Sequence, residues 1–336
     1  MRFASLVMVT LLAAPVAVAG SPTVSLSPFV VTCSVDDEIA RTDRAAPERA
    51  ALDLVKSLVD GDVASVTAAL SPEARSVAGP ADVDRSVRSV ATMAPYTNLR
   101  IAHTYFIRVT GHDPIGSTIC GKTLNDPGAV FLAVRAVPRQ FHVEVTAHTR
   151  NNDWSAFVWL VPSTSGWQAL AFDMSMSASA GRSAQDLMAL AVEQERRGHD
   201  WNAMVLGAGA ELLSRRGGNA TPVWKHDLDS RFSALRTPEE LAGPPPLTWA
   251  LGGKTYSIKS LRVLGIAGNL NLQILRRTET WPGDQAVDAE NHHLLQALVQ
   301  AHPELQDSFA AIVVTAIKPD ETGSFGTVYE FGKGAP

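Results

Sequence analysis

Residues 98–113 read NLRIAHTYFIRVTGHD. Leu99, Ile101, His103, Tyr105, Ile107 and Val109 alternate with Arg100, Thr104 and Arg108. A period of two is that of a half-buried β-strand, because successive side chains point to opposite faces. Strand patterns return at 128–136, 140–149, 153–162 and 166–175, and Pro162 to Gly166 is a turn that joins the last two as a hairpin. Helical spacing comes before this run, so helices followed by a meander of antiparallel strands predict an α+β fold.

The first helix is expected near APERAALDLVKSLVDGD, with Pro47 in its first turn and Ala51, Leu52, Val55, Leu58 and Val59 on one face. Gly61 and Asp62 end it. VASVTAALSPEARS reads as a second short helix, and a third helical stretch lies near 81–93.

The helix-turn-helix ALDLVKSLVDGDVASVTAALSPEAR (51–75) and the hairpin SAFVWLVPSTSGWQALAFDM (155–174), with its Gly166-Trp167 turn, together resemble the nuclear-transport-factor-two-like (cystatin-like cone) superfamily. The resemblance covers about residues 45–176. It implies helices folded over a curved antiparallel sheet, often a cone with a pocket inside. It implies no shared catalytic residues, since the superfamily holds both enzymes and non-catalytic modules.

Beyond the cone region, residues 183–216 read as a helical hairpin. Ser183 is placed to cap the first helix, Gly198 to break the pair, and Gly217-Gly218 to end the second. Gly198, Ala203, Gly207 and Ala210 make the hairpin similar to a tetratricopeptide repeat, in a single copy where a binding array needs about three. The prolines of RTPEELAGPPPLT mark a boundary. From 245 to 336, strands at 254–266 and 270–278 with a turn at Gly268-Asn269, a helix at 285–301, and strands at 310–318 and 325–332 predict a small ββαββ domain.

The chain has 336 residues, 46% hydrophobic and 19% charged, which describes a globular protein of two or three compact units. Its first nineteen residues have the form of a signal peptide: Arg2, an apolar stretch from Phe3 to Val16, and Ala17-Val18-Ala19 before a cut at Gly20. Periplasmic or secreted location is the expectation, with residues 20–44 as an extended arm and no transmembrane segment after cleavage. The formal charge of −5 and the lack of a Lys/Arg run argue against a nucleic-acid partner. Cys33 and Cys120, the only two cysteines, are a disulfide candidate in an oxidising compartment, with two free thiols as the alternative.

Residues capable of chemistry are few. AENHHLLQALVQAHPELQDSF (289–309) carries three histidines, but at about 100° per residue His302 falls on the leucine stripe and His293 nearly opposite, toward solvent. They cannot converge on one ion, and Asp288 with His292 is a pair of ligands where zinc needs three or four. His142, Glu144, Thr146 and His148 share one strand face, read either as ion or proton partners or as an exposed polar sheet face. His103 and Tyr105 are the pocket candidates, on the strand face expected to turn inward; filling of the core is the alternative. No metal, cofactor or nucleophile motif is present. These features favour a non-catalytic binding or scaffold module with a protein partner or a small apolar ligand. The second reading is a small-molecule enzyme or ligand binder using an apolar pocket in the cone.

Overall fold

The computed structural model describes residues 30–111, 116–123, 126–281 and 283–332. The leader and the first ten residues of the arm lie outside them. The fold mixes helix and strand around a strongly curled antiparallel half-barrel sheet. That sheet has the order β1-β2-β5-β6-β7-β8, formed by Val30–Val35, Thr97–Thr110, Arg139–His148, Asn152–Ser163, Gly166–Ser179 and Arg182–Ser183.

The described part of the arm is not free chain. β1 pairs with β2 from Val30 opposite Thr110 to Val35 opposite Tyr105. Helix α1 then starts at Arg41 and runs to Asp60, so Pro47 sits in the second turn rather than the first. Gly61, at φ 77, ends α1 in the left-handed region that suits glycine. The expected second helix is two: α2 (Val63–Ala69) and α3 (Pro72–Val77). Leu70 bridges to Ala169 and the Ser71 amide donates to the Ala169 carbonyl, which pulls the chain out of the helix. Ser71 then caps α3, with Pro72 in its first turn. Helix α4 (Pro80–Ala91) follows.

α1 touches β2, β5, β6 and β7, so the sheet wraps around it. Leu54, Val55 and Leu58 of α1, Val87 of α4, Phe106, Phe141, Val143 and Leu160 form the core between them. The other sheet face is covered by a three-stranded sheet, β3 (Ser117–Cys120), β4 (Val130–Ala133) and β9 (Ala220–Pro222), in the order β3-β4-β9. A separate core of Tyr105, Ile107, Val109, Val130, Leu132 and Phe157 lies there.

Helices α5 (Ala184–Arg196) and α6 (Asp200–Leu213) form the expected hairpin, and Ser183 and Asp186 cap each other reciprocally. A third helix, α7 (Lys225–Ala234), was not foreseen. It explains Gly207, where a Cβ would come 2.7 Å from Leu235 and 2.8 Å from Phe232. The C-terminal sheet also has one strand more than expected: β10 (Leu247–Leu251), β11 (Lys254–Ile266), β12 (Asn269–Arg277), β13 (Ala311–Ile317) and β14 (Ser324–Glu330), in sequence order. β12 and β13 run parallel through helix α8 (Asp284–Ala301). The β11–β12 turn is Ala267-Gly268 rather than Gly268-Asn269, with φ of 50° and 78°, and Asn269 pairs with Ile266. Among the described residues no helix is long and apolar enough to cross a membrane.

Candidate functional site

One inserted residue decides where His103 and Tyr105 point. β2 pairs Ile101 with Val145 and His103 with Glu144, so Ala102 is a bulge. An extra residue in a strand reverses the faces beyond it. Leu99 and Ile101 therefore pack with the helices, as do Thr104 and Phe106, and Thr104 donates to Glu48 of α1. His103, Tyr105, Ile107 and Val109 face the three-stranded sheet instead. The expectation that His103 and Tyr105 line the inside of the cone is thus corrected.

On that outer face Tyr105 is 1% exposed, and its hydroxyl donates to the Gly128 carbonyl at 2.7 Å. Burial pushes its pKa upward, with the Glu144, Asp36 and Asp126 carboxylates adding to the effect. His103 Nδ1 lies 3.0 Å from Asp36 Oδ2, while Asp36 Oδ1 accepts from the Thr104 amide. Gly128 presses against the His103 ring, where a Cβ would come within 3.0 Å of Cε1. The two rings are 6.0 Å apart, and each is tied to a different structural partner.

The neighbouring strand carries the second predicted set. His142 is 1% exposed, stacks on Trp159 at 5.0 Å, and donates from Nε2 to the Ala133 carbonyl. Burial pulls its pKa down to about 3. Glu144 accepts from Ser155 and lies 3.8 Å from the Arg216 guanidinium. The reading of this face as exposed therefore fails for His142 and Glu144, because the three-stranded sheet and the chain after α6 cover it. Further along, His148 pairs with Asp153 at 2.6 Å, and Thr146 with Arg100. The four do not converge.

Arg216 was not singled out in the sequence, yet it joins the helical hairpin to the curled sheet. It donates to the Leu213 and Arg215 carbonyls, and the Ser175 hydroxyl donates to the latter. Desolvation lowers its pKa against the pull of Glu144, Asp173 and Tyr105, and desolvation raises that of Asp173. Gly217, at φ 83, lies so close that a Cβ would be 2.4 Å from Asp173 Cβ.

Comparison with family models, with curated proteins and with solved structures finds no match.

Cys33 and Cys120 form the expected disulfide, which ties strand β1 to strand β3. In α8, His293 does not reach into solvent, since the Tyr256 hydroxyl lies 2.7 Å from its Nδ1 and Gly252 packs on the ring. His302 packs on Trp201, and His292 lies 3.7 Å from Asp288. Among the described residues no three His, Cys, Asp or Glu side chains gather as metal ligands.

The helix side of the curled sheet does have an opening, at a different place from the predicted one. A groove of about 330 Å³ lies between α1, α2 and the β6–β7 hairpin. Leu54, Leu160 and Ala169 form its floor, Ala50, Ala69 and Trp167 its walls, and Asp53, Ser57 and Ser65 its rim. Trp167 makes a T-shaped contact with Phe141 at 5.0 Å. Ala50, Asp53, Leu54 and Ser57 share a face by the i, i+3, i+4, i+7 rule, so one ridge of α1 supplies four of the nine lining residues.

Proposed function

We propose that this chain is an exported, non-catalytic binding module of the cell envelope, with a nuclear-transport-factor-two-like cone at about residues 45–176. The helices α1 to α4 ahead of a curled antiparallel sheet support the cone reading, and the form of residues 1–19 supports export. One observation carries the functional part. The side chains that could do acid–base work, His103, Tyr105, His142, Glu144 and Arg216, are each engaged in internal hydrogen bonds or ion pairs. The groove on the helix side, by contrast, pairs an apolar floor of Leu54, Leu160 and Ala169 with a polar rim of Asp53, Ser57 and Ser65, an arrangement that supports a small-ligand site.

Two experiments test the proposal. Amino-terminal sequencing of protein from the envelope or medium should start at Gly20, and a start at Met1 would remove the export reading. Compounds retained by the purified protein should be recovered chemically unchanged after incubation with it. Conversion that His103→Ala abolishes would move the reading to an enzyme, and retention of nothing would sink the small-ligand form of the binding role.

A further inference from the structure

We infer that strand β14 is where two copies of this chain meet, edge to edge and antiparallel about Thr327. The inference goes beyond the binding role proposed above and does not depend on it.

The backbone comes first. β14 is the outer strand of the C-terminal sheet, and among the described residues no strand pairs with its far side. The bonds at the two ends of the β13–β14 ladder fix which way each peptide points. Lys318 donates to the Gly323 carbonyl, and Phe331 donates to the Ala310 carbonyl. In an antiparallel ladder, hydrogen-bonded pairs alternate with non-hydrogen-bonded ones. Phe325, Thr327 and Tyr329 therefore direct their N–H and C=O groups to β13, and Ser324, Gly326 and Val328 turn theirs to the open edge.

Native sheets blunt such an edge with proline, lysine, a bulge or a covering segment. The opposite edge, β10, is guarded in this way: Pro246 precedes it, and the turn at Glu239–Leu241 lies against it, with Trp249 Nε1 donating to the Glu240 carbonyl at 2.7 Å. β14 reads SFGTVYE, without proline or lysine, and its register with β13 runs without a shift.

The side chains select a second copy as the partner. Val328 is 53% exposed, more than any other large hydrophobic side chain among the described residues. Gly326 is exposed too, and nothing within the chain calls for glycine there. A Cβ would meet only Thr315 Oγ1, at 3.8 Å, and its φ is not positive. Glycine weakens a strand, and where no bulge or bend explains it, another backbone commonly comes close. With Thr327 on the two-fold axis, Val328 of each copy lies opposite Gly326 of the other. Phe325 then faces Tyr329 at the closer, non-hydrogen-bonded spacing, an aromatic pair that stabilises sheets. Glu330 falls opposite Ser324, so like charges do not meet. A register centred on Gly326 or on Val328 would set that residue against itself and lose the match of valine to glycine.

One strand edge is a small interface, below about 1,200 Å², so a dissociation constant of about 10–100 μM is expected. The test is sedimentation of the full chain from about 1 to 300 μM, over which the mass should double. Val328→Pro removes an N–H that β13 does not use, and Val328→Lys places a charge on the edge. Each should weaken dimerisation at least about tenfold while leaving the melting of dilute protein unchanged, and the lysine variant decides if the proline variant fails to fold. Gly326→Cys mixed with Val328→Cys should form an inter-chain disulfide in air, since hydrogen-bonded pairs place Cα atoms about 5.5 Å apart, within disulfide reach. Neither variant alone should do so. A monomer throughout, a doubling indifferent to Val328→Lys, or assembly beyond a dimer would overturn the inference. So would cross-linking of Val328→Cys alone as fast as in the mixture.

Discussion

Protonation of His142 is the perturbation that tests whether the outer face of the curled sheet is sealed. The ring is 1% exposed, sandwiched between Trp159 and strand β4, and its Nε2 hydrogen must stay on the Ala133 carbonyl. Its folded pKa of about 3 lies below the ordinary 6.5. The native state therefore binds fewer protons than the unfolded chain between those two values, and stability falls as pH drops below 6.5. Each unit costs about 1.4 kcal/mol, so at about pH 5 the loss is about 2 kcal/mol. Other groups titrate in this range, so the measurement is a difference: urea unfolding at about pH 7.5 and at about pH 5, for the wild type and for His142→Gln. Glutamine keeps an N–H for Ala133 but does not titrate. The wild type should lose about 2 kcal/mol more than the variant between the two conditions. Parallel losses would mean that the unfolding reaction does not feel His142, and the sealed face would be refuted.

Three further outcomes follow from particular contacts. The Cys33–Cys120 bridge closes a loop of 87 residues, so reduction or Cys33→Ser with Cys120→Ser should lower stability by about 4–5 kcal/mol in urea unfolding. Gly217→Ala should cost at least about 2 kcal/mol, because its φ is 83° and its Cβ would strike Asp173, whereas Gly218→Ala meets nothing within 4 Å and should be near neutral by thermal melting. Asn291 accepts from the buried Arg276 and donates to Thr327 and the Val314 carbonyl, so Asn291→Ala should cost about 2–3 kcal/mol by the same melting assay.

Much of the helix and strand order was legible because periodicity follows from side-chain geometry. The alternation of β2 was read with one error that alternation cannot reveal. Leu99 to Val109 looks unbroken in one face, yet Ala102 is small and makes no hydrophobic contrast, so the bulge beside it leaves no mark. The consequence was the wrong face for His103 and Tyr105. β9 and β10 were missed because three residues ending in Pro222, and five residues following Pro246, give no pattern to count. α7 was missed since its face is thin, with Leu228 its one buried residue. The groove was hidden for another reason. Asp53 and Trp167 are more than a hundred positions apart, and the residues that make room between them are alanines, which draw no notice in a sequence.

The three-residue strand β9 has a consequence for the order in which the chain is completed. β4 is made of Val130, Phe131, Leu132 and Ala133, and its far edge is paired by Ala220 to Pro222. Some ninety residues, including α5 and α6, are synthesised between the two. Until they emerge, β4 offers an open apolar edge of the kind that recruits strands from other chains. A truncation after α6 would leave this edge permanently unpaired, so the helical hairpin delivers the segment that closes the edge of β4.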